Sequence, residues 1–207
     1  MIPLPEFLWD GPIDAKRTVL LAHSAGLPGS QPILTAFAKG LAARGLRVAR
    51  FDYPYMQAMR DGVRRAPDSL ASLLLFHRAA IAATLVRPDQ LILAGKSMGG
   101  RISTLLADET GCAGVIAIGY PFHPPQKPTQ LRTKHLATIR TRCLFLQGER
   151  DALGNRAEVS AYQLSAAITL HWFTDGDHSL IPRLRSGHTS VEHLEKAIAT
   201  SASFALS

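Results

Sequence analysis

Runs of consecutive apolar residues alternate along this chain with longer stretches in which apolar residues recur every three or four positions. A continuous apolar run is typical of a strand buried on both faces of a parallel sheet, and the wider spacing is typical of an amphipathic helix. The pattern therefore predicts strands and helices in alternation. The strands are at residues 17–23, 46–52, 91–94, 114–119, 142–147 and 168–173, and the helices at residues 32–44, 68–86, 98–108, 157–166 and 190–204.

This alternation indicates how the elements are connected. Parallel strands joined by helical crossovers form an α/β fold with a doubly wound, mostly parallel sheet. A chain of 207 residues has room for one such core, so we expect a single domain over residues 1–207. Two longer connections, residues 53–67 and 120–135, are too short to form a separate lid domain. Ligands of such sheets bind beyond the carboxyl ends of the strands, so functional side chains are expected directly after strands.

A glycine-flanked serine lies between the strand at 91–94 and the helix at 98–108. Residues 95–99 read Gly-Lys-Ser-Met-Gly, and G-x-S-x-G in this setting is a nucleophile elbow, a tight turn that exposes the serine hydroxyl. Side chains at Gly95 and Gly99 would collide with the neighbouring strand and helix at so sharp a reversal. Ser97 is therefore the candidate nucleophile. The alternative interpretation is a helix N-terminus with a glycine-rich cap.

A serine hydroxyl needs a base to take its proton and an acid to orient that base, and on this type of sheet the chain order is serine, acid, histidine. Asp151 follows the strand at 142–147 and is the predicted acid, with Glu149 as its close competitor. His178 follows the strand at 168–173 and is the predicted base. Of the 8 histidines, it alone lies both beyond a late strand and downstream of the acid.

The loop after the first strand predicts the remaining part of the site. A tetrahedral intermediate needs backbone N–H donors, usually one from the residue after the nucleophile and one from this early loop. These donors are predicted to be Met98 and Ala25, with Ser24 as an alternative to Ala25. His23 is expected to tie the loop together by hydrogen bonds and not to take part in the chemistry.

Composition and charge narrow the classes of partner. The chain is 46% hydrophobic and 19% charged, as in ordinary globular proteins. Its formal charge of +7 is carried by scattered basic residues without a nucleic-acid-binding signature, so we expect no nucleic acid partner. No apolar run is long enough to cross a bilayer and residues 1–10 lack a secretory leader, so we expect no membrane partner and a cytoplasmic location. Cys112 and Cys143 are expected to be small buried groups and not disulfide or metal partners.

Four segments together resemble the small α/β-hydrolases of the KANL3/Tex30 type, which are related more distantly to dienelactone hydrolase. The segments are 95–101, 119–125, 148–151 and 175–178. The resemblance implies an α/β-hydrolase fold without a sizeable lid, a triad of Ser97, Asp151 and His178, and a hydrolase activity. Such proteins usually have glycine at the position of Ser24, and a serine there would be strained if the position required a positive φ.

These residues predict a serine hydrolase that cleaves an ester or related acyl bond of a small molecule through an acyl-enzyme, without a metal or organic cofactor. The same groups could perform acyl transfer or peptide hydrolysis. A further alternative is a catalytically weak α/β-hydrolase-fold interaction module, because fold does not determine function.

Overall fold

The computed structural model describes residues 4–63 and 65–207. Four residues lie outside the described part of the chain. Residues 1–3 belong to the segment in which no secretory leader is expected, and residue 64 belongs to the predicted 53–67 connection. Short 3₁₀ turns occur at Pro88–Gln90 and Leu184–Ser186. The strands are β1 (Leu8–Asp10), β2 (Thr18–Ala22), β3 (Arg47–Phe51), β4 (Leu91–Lys96), β5 (Gly114–Ile118), β6 (Cys143–Gly148) and β7 (Ile168–Phe173). The helices are α1 (Pro32–Ala42), α2 (Pro54–Arg60), α3 (Leu70–Ala83), α4 (Met98–Thr110), α5 (Arg156–Ser160) and α6 (Ser190–Leu206).

The strands form one 7-stranded sheet in the order β1-β3-β2-β4-β5-β6-β7. All neighbouring pairs from β3 to β7 are parallel, and only β1 pairs in the antiparallel direction, at the edge against β3. This arrangement confirms the predicted doubly wound, mostly parallel α/β sheet. Strand β4 lies near the middle, between β2 and β5, so the residues after β4 meet the ends of both neighbours.

Helices pack on both faces of the sheet. The side chains of β4 alternate between the two layers: Leu91 and Leu93 pack with α3 and α4, while Ile92 and Ala94 pack with α1 and α6. All of β4 is buried, which explains why its sequence is a continuous apolar run up to Gly95. Burial on both faces positions the end of β4 rigidly, and Ser97 follows directly.

Helix α3 is shorter than the predicted helix at 68–86, and Asp68 does not cap it. Ser69 is the N-cap, and its side chain accepts a hydrogen bond from the Ser72 amide. The Asp68 carboxylate instead accepts from the Tyr55 amide and from Arg65. Asp68 is therefore engaged with the preceding segment and leaves the cap position to the next residue.

Other boundaries also differ from the sequence pattern. The predicted helix at 157–166 ends at Ser160, because the following segment turns back to the 136–139 region, where the Ser165 amide and hydroxyl donate to the Leu136 and Ile139 carbonyls. The predicted 53–67 connection contains helix α2. Strand β1 was not predicted, because three residues at a sheet edge leave too short an apolar pattern.

Both cysteines are buried and free, as predicted. Burial raises the pKa of the Cys143 thiol to about 12, so this thiol is protonated and serves as an apolar packing group. No helix in the described part of the chain is both long and apolar enough to cross a membrane.

An ion pair holds the edge strand to the sheet. The Arg50 guanidinium on β3 donates from Nη2 and Nε to Asp10 on β1, at 2.8 and 3.0 Å. It also donates to the Gly29 carbonyl and the Thr35 hydroxyl. The side chains of Arg50 and Asp10 are only 7% and 13% exposed, so the pair is largely removed from water.

We expect Asp10→Ala to lower the free energy of unfolding by about 3 kcal/mol, because it leaves a buried guanidinium without its carboxylate. Asp89→Ala is the matched control, since Asp89 pairs with Arg87 where the side chains are 62% and 74% exposed, and exposed pairs contribute about 0–1 kcal/mol. Urea unfolding of both variants measures the difference. Equal losses would contradict the role given to the buried pair.

Candidate active site

Ser97 lies on a strained turn between β4 and α4. Its backbone has φ 52° and ψ −113°, a region that non-glycine residues seldom adopt and that costs about 1–3 kcal/mol. The Ser97 amide donates to the Ile118 carbonyl at the end of β5, and the Ser97 carbonyl accepts from the Arg101 amide in the first turn of α4. These bonds hold the turn in place, with the hydroxyl facing a cleft beyond the sheet.

The glycines around Ser97 are required by close backbone contacts, as the motif predicts. A Cβ atom at Gly99 would lie 2.6 Å from the Ala22 carbonyl oxygen and 2.7 Å from that of His23. A Cβ atom at Gly95 would overlap the backbone of Gly99 itself. The first turn of α4 can therefore approach the ends of β2 and β4 only because these positions lack side chains.

The structure brings the three predicted side chains into one hydrogen-bonded chain. His178 Nε2 lies 2.9 Å from Ser97 Oγ. On the other side of the ring, His178 Nδ1 lies 2.8 and 3.0 Å from the two carboxylate oxygens of Asp151. A carboxylate can only accept here, so Nδ1 carries the proton and Nε2 is left to accept from the serine hydroxyl.

Asp151 is completely buried, and hydrogen bonds hold its side chain against His178. Its oxygens also accept from the Leu153 amide and from Gln147 Nε2, both at 2.8 Å. Gln147 in turn accepts from the Tyr120 amide through Oε1. Sequence reasoning did not assign a role to Gln147, although a glutamine at the end of an otherwise apolar strand is a signal that could have found it.

Lys96 and Gly119 both contact the backbone carbonyl of His178 and so position its loop. Lys96 Nζ donates to the His178 carbonyl at 2.9 Å, and burial lowers the pKa of this lysine while the charges of Asp151 and Asp177 oppose that shift. Gly119 has φ +59°, and a Cβ atom there would lie 2.5 Å from the His178 carbonyl oxygen. The histidine loop thus rests directly on the ends of β4 and β5.

Glu149, the competitor of Asp151, is engaged elsewhere. Its carboxylate accepts from Arg156 Nη1 at 2.6 Å and from the Asp175 amide at 3.1 Å. Asp175 is held by Arg183 and Arg150, and hydrogen bonding to Arg183 is the main reason that the pKa of its carboxyl is well below the usual value. These contacts fix the turn that precedes His178.

The early loop is organised by two buried rings. His23 Nε2 accepts from the Tyr53 amide at 3.0 Å and Nδ1 lies 2.6 Å from the Ser24 carbonyl, so His23 has the structural place that was predicted. Burial lowers the pKa of His23, which keeps the ring neutral. The Tyr55 hydroxyl donates to the Ala25 carbonyl at 3.0 Å. Ser24 does not adopt a positive φ, so the strain expected of a serine at this position does not arise.

The two predicted oxyanion donors lie at the same cleft as Ser97. The Met98 amide is the first of α4 and has no intrahelical acceptor. Among the described residues, neither the Met98 nor the Ala25 amide donates a hydrogen bond. Both are available to a bound ligand.

The cleft has a volume of about 350 Å³ and lies at the lower end of the range of small-molecule sites, roughly 300–1,000 Å³. Part of its wall comes from the two long connections: Pro67 belongs to the first, and Pro121, Pro125 and Arg132 belong to the second. The rest of the lining comes from α3, from the first turns of α4 and from the loops after β2 and β6.

Two other histidines occupy the core. His77 Nδ1 bonds the Tyr53 hydroxyl, and complete burial lowers the pKa of its ring to about 3. His193 Nδ1 bonds the Leu180 carbonyl. Within residues 4–63 and 65–207, no three His, Cys, Asp or Glu side chains are grouped so as to hold a metal ion.

The chain is similar to known proteins over nearly its whole length. A family model described as an alpha/beta hydrolase domain matches residues 15–206. A serine hydrolase without lid from Xanthomonas campestris is 19% identical with a TM-score of 0.67, and the match covers 98% of this chain and 95% of that one. An alpha-beta serine hydrolase homologue from Coxiella burnetii is 18% identical with a TM-score of 0.68, covering 97% and 98% of the two chains. The esterase domain of a Rhodothermus marinus protein is 16% identical with a TM-score of 0.68, covering 96% and 91%.

We expect Gly99→Ala to lower the free energy of unfolding by about 1–3 kcal/mol or more, because backbone carbonyls cannot move away from the added methyl group. Gly26→Ala is the matched control, because its added Cβ meets no atom within 4 Å and should change stability by at most about 0.5 kcal/mol. Urea unfolding monitored by circular dichroism compares the two. A Gly99→Ala variant as stable as the control would refute the close approach at the turn.

Proposed function

Since this chain belongs to the alpha/beta hydrolase family, we propose that it is a serine hydrolase that cleaves an ester or related acyl bond through an acyl-enzyme on Ser97. The observation that supports this most strongly is the chain of hydrogen bonds from Ser97 through His178 to the buried Asp151. These hydrogen-bonded residues lie beside the cleft, next to the Met98 and Ala25 amides, which donate no hydrogen bond among the described residues. A base in contact with the hydroxyl, oriented by an acid behind it, is what nucleophilic catalysis by serine requires.

In the first half of the reaction, Ser97 Oγ attacks the substrate carbonyl carbon while His178 Nε2 takes the hydroxyl proton. The carbonyl oxygen becomes negatively charged and accepts hydrogen bonds from the Met98 and Ala25 amides. Asp151 stabilises the imidazolium that forms. The tetrahedral intermediate then collapses, the bond to the leaving oxygen breaks, and His178 returns its proton to that oxygen.

In the second half, water takes the place of the leaving group. His178 Nε2 removes a proton from the water as its oxygen attacks the acyl carbon. The second intermediate then collapses, the bond between the acyl carbon and Ser97 Oγ breaks, and His178 returns the proton to Ser97 Oγ as the acid leaves. The imidazole ring therefore carries out every proton transfer of both halves from one position. If another alcohol or amine replaced water, the same steps would give acyl transfer.

We assign small acyl groups as the substrates. The cleft volume of about 350 Å³ is small for a long acyl chain. The resemblance to the KANL3/Tex30 type implies a site without a sizeable lid, which agrees with small substrates. A non-catalytic interaction module is the less favoured function, because nothing in that function calls for a histidine shared between a strained serine and a buried carboxylate.

We expect Ser97→Ala to fold as the wild type does and to lose about a thousandfold or more in kcat/KM for 4-nitrophenyl acetate, because the nucleophile is absent. Ser160→Ala, at an exposed serine on α5, is the matched control and should retain full turnover. Absorbance of released nitrophenolate measures the rate, and circular dichroism confirms folding. Full turnover by Ser97→Ala would refute the mechanism.

Tyr55 is a positioning residue for the oxyanion loop, since its hydroxyl bonds the Ala25 carbonyl. We expect Tyr55→Phe to lower kcat by about fivefold with little change in KM, because the loss of about 1 kcal/mol falls on the transition state. Tyr162→Phe, at a half-buried tyrosine outside the site, is the control. A change confined to KM, or equal changes in both variants, would contradict the assignment.

A further inference from the structure

The cleft beside Ser97 contains two arginines that the proposed mechanism does not use. Arg101 lies one turn into α4, four residues after Ser97, and Arg132 lies in the 120–135 connection, which also lines the cleft. The Arg101 amide donates to the Ser97 carbonyl, and both residues line the same cleft. The Arg101 side chain therefore starts one helical turn from the nucleophile.

Neither guanidinium has a partner in the described residues. No carboxylate lies within 4.0 Å of Arg101 or Arg132, and neither side chain donates a hydrogen bond. All 16 Asp and Glu residues of the sequence fall within residues 4–63 and 65–207, so no acidic side chain is left out of this comparison. By contrast, the buried guanidinium of Arg50 donates four hydrogen bonds.

The Nε atom of Arg101 is buried and has no hydrogen-bond partner among the described residues. Five buried side-chain nitrogen or oxygen atoms in the described residues lack a hydrogen-bond partner, and Arg101 Nε is the one that belongs to a residue lining this cleft. A buried polar atom without a partner is uncommon and often marks the place of a ligand or water. A guanidinium is a fork of N–H donors suited to a carboxylate or phosphate.

The two arginines are close enough to affect each other. Burial is the main cause that lowers the pKa of Arg132, and the charge of Arg101 lowers it further. Their charges also act together on the neighbouring Tyr120 ring. Two like charges that line the same cleft repel each other, and an anion bound beside both would be attracted to both.

One carboxylate does line the cleft. Asp68 lies on the wall at the start of α3, but its oxygens already accept from the Tyr55 amide and from Arg65. It is therefore paired with a different cation and leaves the charges of Arg101 and Arg132 uncompensated. The cleft consequently has a positive end beside the nucleophile.

We propose that Arg101 and Arg132 form an anion subsite, and that the substrate is an acyl compound bearing a carboxylate or phosphate group near its scissile carbonyl. This inference rests on the proposed function, because it names the substrate class of the same cleft. The two guanidiniums bind the anionic group, and Ser97 reaches the carbonyl from one helical turn away. Neutral esters of the same size lack this contact and react less efficiently.

The test compares mono-(4-nitrophenyl) glutarate with its neutral methyl ester. In the wild type we expect kcat/KM to be about tenfold to a hundredfold higher for the charged ester, the range for a hydrogen bond to a charged group. Arg101→Gln and Arg132→Gln should each lower the charged-to-neutral ratio by about tenfold. Arg132 is on a loop, so its variant tests the proposal even if Arg101→Gln were to unfold.

Arg87→Gln is the matched control. It removes the same unit of charge from an exposed pair at the opposite end of β4, and it should leave the ratio unchanged. Inorganic phosphate and glutarate, added as competitive inhibitors, distinguish the two anion types, and inhibition by neither would overturn the proposal. A ratio near one in the wild type, or an equal ratio in all variants, would overturn it as well.

A binding measurement separates this inference from the proposed function. We expect Ser97→Ala to bind glutarate by calorimetry, and Ser97→Ala combined with Arg132→Gln to bind it at least about tenfold more weakly. If the wild type hydrolysed neither ester while this binding difference held, the hydrolase function would fail and the anion subsite would stand. Equal binding by both variants would overturn the subsite and leave the hydrolase function in place.

Discussion

The close approach of two backbone segments at the end of β4 determines what surrounds Ser97. The first turn of α4 lies against the carbonyls of Ala22 and His23 with no room for a side chain at Gly99. The chain therefore reverses within a few residues, and Ser97 adopts a strained backbone conformation with a positive φ. The same turn exposes the Met98 amide and places Arg101 over the cleft. One steric constraint thus arranges the serine, a free donor and a cation along a single helical turn.

The electrostatics of the site depend on the complete burial of the Asp151 side chain. A buried carboxylate is costly unless it is hydrogen-bonded, and here Gln147, the Leu153 amide and His178 supply the bonds. The carboxylate then holds His178 with one nitrogen toward Ser97. Lys96 adds a cation on the far side of the same loop, where it bonds the His178 carbonyl. Negative charge is therefore kept behind the imidazole, while the cleft in front of it is positive.

The sequence was sufficient to predict the parallel sheet and the meeting of Ser97, Asp151 and His178, because the ends of parallel strands share one edge. It did not predict the three-residue strand β1, whose apolar pattern is too short to identify and whose Asp10 is held by the distant Arg50. The start of α3 and the end of α5 depend on tertiary contacts of Asp68 and Ser165, and the spacing of apolar residues along the chain gives no information on such contacts. The presence of Arg101 and Arg132 in one cleft was missed for the same reason, since 31 positions separate them along the chain.

The reactivity of the Ser97 hydroxyl toward a fluorophosphonate tests the central claim most directly, because only a serine activated by its neighbours reacts rapidly with this reagent. We expect the folded protein to gain the mass of one phosphonyl group, located at Ser97 by peptide mass spectrometry. His178→Ala should react far more slowly. If the folded wild type remained unlabelled, or if the label lay on another serine, the hydrogen-bonded chain from Ser97 to Asp151 would not be a catalytic one.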